Sequence, residues 1–455
     1  MHLIYRVGKT PVPDMSEGGT TMRQMATTWL VKRWNLRHVI GALAMLWTSQ
    51  YPIIGYGQSA MLYWLGAPPG GRSVATDVSN TGIVVGYVQT SSGTHYAFYW
   101  RSDTDLQTLN QSASGAEAVE DGIHGGRFMM VGWVARPPSE FMSSAFSWRS
   151  NWSNIRYELG SRYSSAFDIG HEVGAPDKQY VVGWADYAGY PYAAYWISGE
   201  RYVNGPYFLE GTRPSRHSYA LAIGDIIPRI VGRIKDDQGN WRAFYWDGLA
   251  GYGLNIYELG TLGGCCSSAE DVSGEGHVIV GWAWDGNNRV RAFRWQGTMW
   301  DLGTLPGGND SMAYSVDIAG YTIVGTSQFR KPSGELEFRA TMWEGSRITD
   351  LNQLVRDQLV PGSRLIEAKA ISPNSRYIAG WGYNAATARF EAFLLDRAPQ
   401  IPGDIDGDGC VNDSDLLLVL LAFGNAGGAE DTNNDGVVDD ADLLLVLLHF
   451  GEGQC

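Results

Sequence analysis

Charged side chains are scarce in this chain. Lys, Arg, Asp and Glu make up 18% of its 455 residues, whereas apolar residues make up 44%. The low charge excludes a coiled coil, and the high apolar content excludes a disordered chain. Basic residues are the rarer sign, with 34 Lys and Arg against 48 Asp and Glu. Because a protein that binds a phosphate backbone carries a basic patch or stripe, we expect no nucleic-acid partner.

Known catalytic motifs are missing as well. The sequence contains no Gly-x-Ser-x-Gly, no His-Glu-x-x-His, no Walker loop and no Cys-x-x-Cys. The histidines are scattered, and we interpret five of them as turn or surface residues: His95, His124, His171, His217 and His277. We therefore predict no catalytic residue and no enzyme.

The sequence has only four cysteines. In an exported chain four cysteines allow three pairings. Cys410 and Cys455 bracket an acidic C-terminal segment, and we predict a disulfide between them. Cys265 and Cys266 are adjacent; they either form a vicinal disulfide or stay as free buried thiols, and we favour the free state.

A long apolar run is found near the N-terminus, from Val39 to Ile54. Basic residues precede it and small residues follow it, which is typical of a secretory signal peptide. We therefore assign residues 1–60 to a leader and signal peptide and predict a secreted, extracellular or cell-surface protein. An uncleaved membrane anchor is the alternative, but the run is short for a span and contains Gln50 and Pro52. We expect no membrane span after signal cleavage.

Glycine and tryptophan are abundant, with 58 and 18 residues, and both follow an internal repeat. An apolar run ending in Gly is followed by Ala-Phe-x-Trp or a degenerate copy of it. The glycines are Gly86, Gly132, Gly183, Gly232, Gly281, Gly325 and Gly380, and the last residues of the second element are Trp100, Trp148, Trp196, Trp246, Trp295, Trp343 and Leu395. Seven copies of about 48 residues, each holding short strands and no helix, predict a mainly β fold: a seven-bladed β-propeller over residues 61–395. We interpret the periodic Phe and Trp as packing between blades.

The phase of the repeat predicts how the ring closes. The seventh copy stops at Leu395-Asp396 without the Leu-Gly strand that ends other copies, and an orphan Leu65-Gly66 stands before the first. We predict that Leu62–Leu65 forms the outer strand of blade seven, or is donated to a neighbouring subunit. Such an overlap hides strand edges that would otherwise pair with other molecules.

An aspartate also recurs, at Asp77, Asp168, Asp271 and Asp317, and is replaced by Ala222 and Ala370. Because these aspartates follow the repeat, we predict a structural role for them, the capping of a turn. Catalytic residues in such a ring should instead break the repeat.

The repeat phrase Ala-x-Asp-Val-Ser, Val-Gly, Ala-Phe-x-Trp resembles the bacterial HAF extracellular repeat family. The last copy, from Ala368 to Leu395, resembles the terminal repeat of that family. The resemblance covers residues 61–395. It implies an extracellular repeat protein and no particular activity.

The C-terminal residues 403–455 hold ten Asp, two Glu and no Lys or Arg, a net charge of −12. A linker, residues 396–403, precedes two twelve-residue loops with the spacing of EF-hand calcium loops. Oxygen ligands are expected from Asp404, Asp406, Asp408, Cys410, Asn412 and Asp415 in the first loop, and from Asp431, Asn433, Asp435, Val437, Asp439 and Asp442 in the second. Cys410 and Val437 would use their backbone carbonyls. We predict two Ca²⁺ ions.

Each loop is followed by one predicted helix, Asp415–Phe423 or Asp442–Phe450. Two tandem loop–helix units resemble a dockerin type I module, here residues 404–455, which implies a small α-helical domain and a cohesin-like partner. Loop positions 10 and 11 are Asp413-Ser414 and Asp440-Ala441 instead of the hydroxyl pairs of many dockerins. Both helices are apolar all round, so we expect the propeller or another chain to cover their second face.

These features favour a secreted non-enzymatic binding or assembly protein, in which a propeller scaffold docks to a protein partner through a calcium-stabilised module. Two alternatives stay open. One is a self-assembling extracellular fibre or surface-layer subunit, a homo-polymer. The other is a carbohydrate-active propeller enzyme carried by a dockerin.

Overall fold

The computed structural model describes residues 60–455 except 103, 110–112, 124–126, 137–138, 151–158, 160–162, 173–174, 199–202, 210–216, 251–254, 398–402, 406–409, 425–429, 431, 433–436 and 453–455. Apart from Ala60, the predicted leader and signal peptide lies outside the described residues. Among the described residues, no helix has both the length and the apolar character needed to cross a membrane.

The described chain contains 27 strands in seven antiparallel sheets. Strand β1 is Met61–Trp64. Blade 1 is β2–β5 (Arg72–Val78, Val84–Gln89, His95–Arg101, Thr104–Thr108), and blade 2 is β6–β8 (Ser114–Ile123, Arg127–Arg136, Ser139–Arg149). Blade 3 is β9–β12 (Ser164–Glu172, Ala175–Tyr187, Tyr190–Ser198, Val203–Phe208), and blade 4 is β13–β16 (Ser218–Ile223, Ile230–Lys235, Trp241–Trp246, Ile256–Gly260). Blade 5 is β17–β20 (Gly263–Val272, Ile279–Asp285, Val290–Trp295, Met299–Asp301), and blade 6 is β21–β24 (Ser311–Val316, Thr322–Arg330, Leu336–Glu344, Arg347–Asp350). Blade 7 is β25–β27 (Arg364–Ile371, Tyr377–Asn384, Arg389–Asp396) together with β1.

The blades form a closed ring. The first strand of every blade contacts the first strand of the next blade, and β25 of blade 7 contacts β2 of blade 1. These seven inner strands surround a central channel, and the later strands of each blade lie progressively further out. The predicted seven-bladed β-propeller is therefore confirmed. Blade 2 has three described strands, and the segment after β8 lies outside the described residues.

The ring closes through the orphan strand. In β1, Leu62 pairs with Leu395 and Tyr63 pairs with Leu394, both in β27. The Leu65 N–H then donates to the Ala392 carbonyl at 2.9 Å. The predicted outer strand of blade seven is thus confirmed, one residue earlier than expected. It pairs within its own chain, so ring closure needs no second copy.

The hydrophobic core lies between blades. The described propeller residues form seven apolar clusters, and each joins residues of two adjacent blades. In the cluster between blades 7 and 1, for example, Ala75 and Phe98 pack with Ala379 and Leu394. The periodic Phe side chains are fully buried in these clusters, at residues 98, 146, 244, 293 and 393. Packing between blades is therefore confirmed as their role.

The repeated glycine has one steric cause. The first strand of each blade contains a β-bulge. Just before the bulge, a carbonyl oxygen of this strand lies against the repeated glycine in the second strand of the same blade. A Cβ on the glycine would lie 2.0–2.1 Å from that oxygen in all seven blades, at residues 86, 132, 183, 232, 281, 325 and 380. No other residue fits without moving the strands apart.

The structure differs from the sequence prediction at two places in the ring. A one-turn helix α1, Leu351–Leu354, follows β24, although no helix was expected within a repeat. Asp350 caps it, and the Asn352 amide bonds the backbone of Leu365 at the start of blade 7. Cys265 and Cys266 form a disulfide and neither is buried, so the expectation of free buried thiols was wrong.

We predict that Gly281→Ala destabilises the ring, because its new Cβ would meet the Ser268 carbonyl oxygen at 2.1 Å. Overpacking of this kind costs about 1–3 kcal/mol. The matched control is Gly286→Ala in the same blade, where nothing lies within 4 Å of the added Cβ. Thermal unfolding should show a lower midpoint for Gly281→Ala alone. Equal midpoints for the two variants would contradict this explanation of the repeated glycine.

Candidate functional site

Three aspartates link neighbouring blades across the channel wall. Asp77 Oδ1 accepts the Val78 N–H at 2.7 Å, and its Oδ2 accepts the Val119 N–H of blade 2 at 2.8 Å. Asp168 and Asp271 repeat this arrangement, joining blade 3 to blade 4 and blade 5 to blade 6. Each carboxylate therefore satisfies one N–H of its own inner strand and one of the next.

A serine completes the set. Ser315 takes the aspartate position in blade 6, and its Oγ accepts the Ile371 N–H of blade 7 at 3.3 Å. Three aspartates with two bonds each and one serine with one bond satisfy the equivalent N–H group in all seven blades. The other blades carry Ala118, Ala222 and Ala370 at this position, which leaves room for the carboxylate reaching across.

The turn-capping role predicted for the recurring aspartate was wrong for Asp77, Asp168 and Asp271, because they bridge blades instead. It is confirmed for Asp317, which lies two positions further along its blade. The Asp317 carboxylate accepts the Tyr321 and Thr322 N–H groups at 2.8 and 3.0 Å, at the turn between β21 and β22. Asp317 therefore does not belong to the channel set.

The pKa values of the three channel aspartates lie above the usual range for aspartate. Burial raises the pKa of Asp77 and of Asp271 to about 7, against the lowering effect of their backbone hydrogen bonds. Burial also raises the pKa of Asp168 well above its usual range, and the charges of Asp271 and Asp77 add to the effect. Together the three line a cavity of about 80 Å³. No Lys or Arg is among the described residues that line it.

A second group lies beside this cavity, contributed by blades 2, 3 and 4. Ligand atoms of Glu120, His171 and Asp225 all lie within 4.8 Å of one another. They line an adjoining cavity of about 120 Å³. Burial raises the pKa of Glu120 well above its usual value and that of Asp225 to about 6, where the His171 charge acts in the lowering direction. We refer to these three residues as the channel triad.

The sequence analysis missed the channel triad. It interpreted His171 as a turn or surface residue, yet its ring lies in the channel cavity. The repeat could have identified only one member of the triad. Two residues after the aspartate position other blades have Ser, Gly or Asp, but blade 2 has Glu120. The next position, which holds His171 and Asp225, has six residue types in seven blades, so no repeated residue marks these two.

The predicted calcium loops are described in part. Of the twelve expected ligands, Asp406, Asp408, Asp431, Asn433 and Asp435 lie outside the described residues. Helices follow both loops, α2 from Asp413 to Ala422 and α3 from Asp440 to Leu448. Asp404 and Cys410 precede α2 in the chain, and Val437, with its side chain 47% exposed, precedes α3.

The last ligand position of each loop is fully buried. Asp415 Oδ1 accepts the Ile405 N–H at 2.6 Å and Oδ2 accepts the Asn412 N–H at 2.8 Å. The Asn412 side chain accepts the N–H groups of Ser414 and Asp415, and the bond from Asp415 completes a capping box at the start of α2. Asp415 thus connects Ile405, near the start of the loop, to Asn412, near its end.

The second loop repeats this geometry 27 residues later. Asp442 Oδ2 accepts the Asp439 N–H at 2.9 Å, and the Asp439 side chain accepts the Ala441 N–H at the start of α3. The two units also bond each other reciprocally: the Gly424 N–H donates to the Val438 carbonyl, and the Gly451 N–H donates to the Val411 carbonyl. The module is therefore internally pseudo-symmetric.

The described loop residues fit a hard cation. Their donor set consists of oxygen atoms, which Ca²⁺ prefers. Each carboxylate oxygen of Asp415 holds one N–H and keeps a second lone pair for an ion. The hydrogen bonds of Asp415 and Asp442 hold these carboxylates beside the loops.

Similarities to known proteins are confined to solved structures. No family model matches this chain, and no curated protein matches it. The β-propeller domain of the Trilobed protease from Pyrococcus furiosus is 11% identical with a TM-score of 0.46, covering 74% of this chain and 95% of that one. TolB from Acinetobacter baumannii is 12% identical with a TM-score of 0.37, covering 66% and 76%. The BP39L lectin from Burkholderia pseudomallei is 10% identical with a TM-score of 0.41, covering 74% and 98%. None of these likenesses bears on activity.

We predict that propeller stability falls as the pH rises from 5 to 8. Since the folded pKa values of Asp77 and Asp271 are about 7 against an ordinary 3.8, the folded form binds more protons than the unfolded chain between these values. The thermal midpoint, measured in chelator, should therefore decrease across this window. A double variant Asp77→Asn, Asp271→Asn should show a shallower decrease.

Asp105→Asn is the control, because Asp105 is exposed on the outer strand β5. This variant should keep the slope of the unmodified protein. A midpoint that rises from pH 5 to 8 in the unmodified protein would contradict the assigned direction.

The Cys410–Cys455 disulfide stays a prediction, because Cys455 lies outside the described residues; Cys410 itself is buried. A bridge closing about 45 residues should contribute on the order of 4 kcal/mol to module stability. Mass spectrometry of a non-reduced digest should recover the two cysteines in one cross-linked peptide pair. Alkylation of both thiols without reduction would refute the bridge.

Proposed function

We propose that this chain is a secreted, non-enzymatic binding or assembly protein. Its propeller acts as a rigid scaffold, and its C-terminal module, whose sequence resembles a dockerin type I module, docks it to a protein partner of cohesin-like type. Two Ca²⁺ ions stabilise the module. The propeller fold alone implies neither the docking step nor the calcium requirement; both are proposed here.

One observation supports docking most directly: the module displays the same apolar surface twice. On α2 the exposed side chains include Leu417, Leu420 and Leu421, at 51–73% exposure. On α3 their counterparts 27 residues later are Leu444, Leu447 and Leu448, at 53–65% exposure. The spacing i, i+3, i+4 places each set on one helix face. We call these six residues the leucine faces.

The leucine faces are not needed for the core of the module. That core consists of Val411, Val419, Val438 and Val446, all fully buried. Exposed contiguous apolar surface of this kind marks an interaction site in a soluble protein. We expected the propeller or another chain to cover these helices. Within the described residues the propeller leaves the leucine faces exposed, and the proposed partner supplies the cover.

Calcium controls the module in this proposal. Residues 403–455 carry −12, and the close carboxylates of the loops oppose folding until cations neutralise them. Binding confined to the folded form stabilises it by about 2.7 kcal/mol per site at 100-fold saturation. Docking through the leucine faces should then require calcium.

We predict that Ca²⁺ raises the helix content of the module and that Asp404→Ala and Asp431→Ala each remove one binding event. The matched control is Asp413→Ala, which removes the same charge at loop position 10, where no ligand is expected. Calorimetry and far-UV circular dichroism of the full chain should show two Ca²⁺ ions for the control and one for each loop variant. Flat traces up to millimolar calcium would refute the calcium module.

The docking step has its own test. Sedimentation velocity of the full chain in calcium should show a single species that shifts upon addition of a cohesin domain, and Leu420→Glu with Leu447→Glu should abolish the shift. Calcium-dependent polymers without any added cohesin would instead support self-assembly. No shift and no polymers would contradict docking through the leucine faces.

A further inference from the structure

We propose that the channel triad, Glu120, His171 and Asp225, binds one divalent first-row transition metal ion, with Zn²⁺ as the fitting species. This site is separate from the calcium loops and does not depend on the proposed docking function. It lies inside the propeller ring, where three consecutive blades contribute one ligand each.

The spacing of the three ligand atoms suits one metal ion. The three lie within 4.8 Å of one another, and His171 Nδ1 stands 3.6 Å from Glu120 Oε1. Ligands bonded to one Zn²⁺ at about 2.0–2.2 Å lie about 3–4 Å apart. Side-chain rotations that move each ligand atom by less than about 1 Å therefore bring all three atoms within bonding distance of one ion.

The triad forms few bonds of its own. His171 Nδ1 is buried and makes no hydrogen bond; it lies 3.6 Å from Glu120 Oε1, an ion-pair distance, and the His171 side chain as a whole is 40% exposed. In the described structure, the carboxylates of Glu120 and Asp225 accept no hydrogen bond, whereas Asp77, in the same channel, accepts two. A buried nitrogen without a hydrogen bond is rare in proteins, and His171 Nδ1 is therefore available to a ligand.

The other polar groups around the triad are already engaged. Asp121 Oδ2 accepts both the N–H and the hydroxyl of Thr81, at 2.8 and 2.7 Å. Asn80 and Asn374 bond each other across the closure of the ring. The triad thus supplies the titratable groups of the described cavity lining that accept no backbone hydrogen bond, in a cavity of about 120 Å³. This cavity has room for an ion and for water on the open side.

The chemical types of the three ligand groups indicate which metal ion fits the site. Two carboxylates and one imidazole suit Zn²⁺, whereas Ca²⁺ and Mg²⁺ prefer sets made only of oxygen. Three protein ligands leave a fourth position open toward the channel, as in zinc sites that hold a water. The other channel carboxylates, Asp77, Asp168 and Asp271, make the surroundings attractive to a cation.

The test is Zn²⁺ titration of the full chain by calorimetry, in saturating calcium so that the C-terminal loops are filled. One Zn²⁺ per chain should bind, and Co²⁺ in its place should give visible absorption typical of a low-symmetry site. His171→Asn and Glu120→Gln should each weaken binding by more than 100-fold, since loss of outer-sphere partners alone costs about 10–100-fold. His277→Asn, at an exposed histidine, should leave binding unchanged.

Two further measurements keep the outcomes distinct. Asp404→Ala with Asp431→Ala should abolish calcium binding yet retain the zinc site, so failure of the calcium module does not remove this proposal. Circular dichroism confirms that each variant is folded; if His171→Asn does not fold, the isosteric Glu120→Gln carries the test. Zinc affinity that is the same in the folded triad variants and the unmodified chain would overturn the assignment.

Discussion

The ring depends on how seven inner strands satisfy the backbone groups that face the channel. Each inner strand is a sheet edge, so its channel-facing N–H groups have no strand partner, and an unsatisfied buried N–H costs about 1–3 kcal/mol. Carboxylates solve this problem for pairs of blades: Asp77, Asp168 and Asp271 each accept from two strands. Each aspartate serves two strands, so three aspartates leave one of the seven strands unserved. The N–H of that strand, from Ile371 in blade 7, is accepted by Ser315. These bonds join each inner strand to the inner strand of a neighbouring blade.

This solution has an electrostatic consequence. Burial disfavours the charged form of the three bridging aspartates and raises their pKa values, and for Asp168 the charges of Asp271 and Asp77 add to this effect. With Glu120, Asp121 and Asp225, the described lining of the two cavities holds six carboxylates and has His171 as its one basic side chain. A cation in the channel triad offsets that charge. The structural carboxylates and the proposed metal site are thus two parts of one arrangement.

Much of the fold could be predicted from the sequence because it is repeated. The spacing of the Ala-Phe-x-Trp elements gave the blade number, and the orphan Leu65-Gly66 gave the closing strand, since both follow from strand order alone. The role of Asp77 could not be predicted, because its second hydrogen bond goes to the next blade and leaves no local pattern. The channel triad was missed for the same reason: Glu120, His171 and Asp225 are about 50 residues apart and meet only when the ring closes. By contrast, the proposed calcium ligands of each loop lie within twelve residues of one another, so their spacing is visible in the sequence.

The central claim is that the three aspartates bridging the inner strands bind backbone N–H groups and no ion, whereas the channel triad and the C-terminal loops bind cations. Anomalous diffraction from crystals grown with calcium and zinc tests this claim directly. The account predicts a zinc peak among Glu120, His171 and Asp225 and calcium peaks in the two loops, with none at Asp77, Asp168 and Asp271. A metal peak centred on these three aspartates, with none at the channel triad, would contradict it.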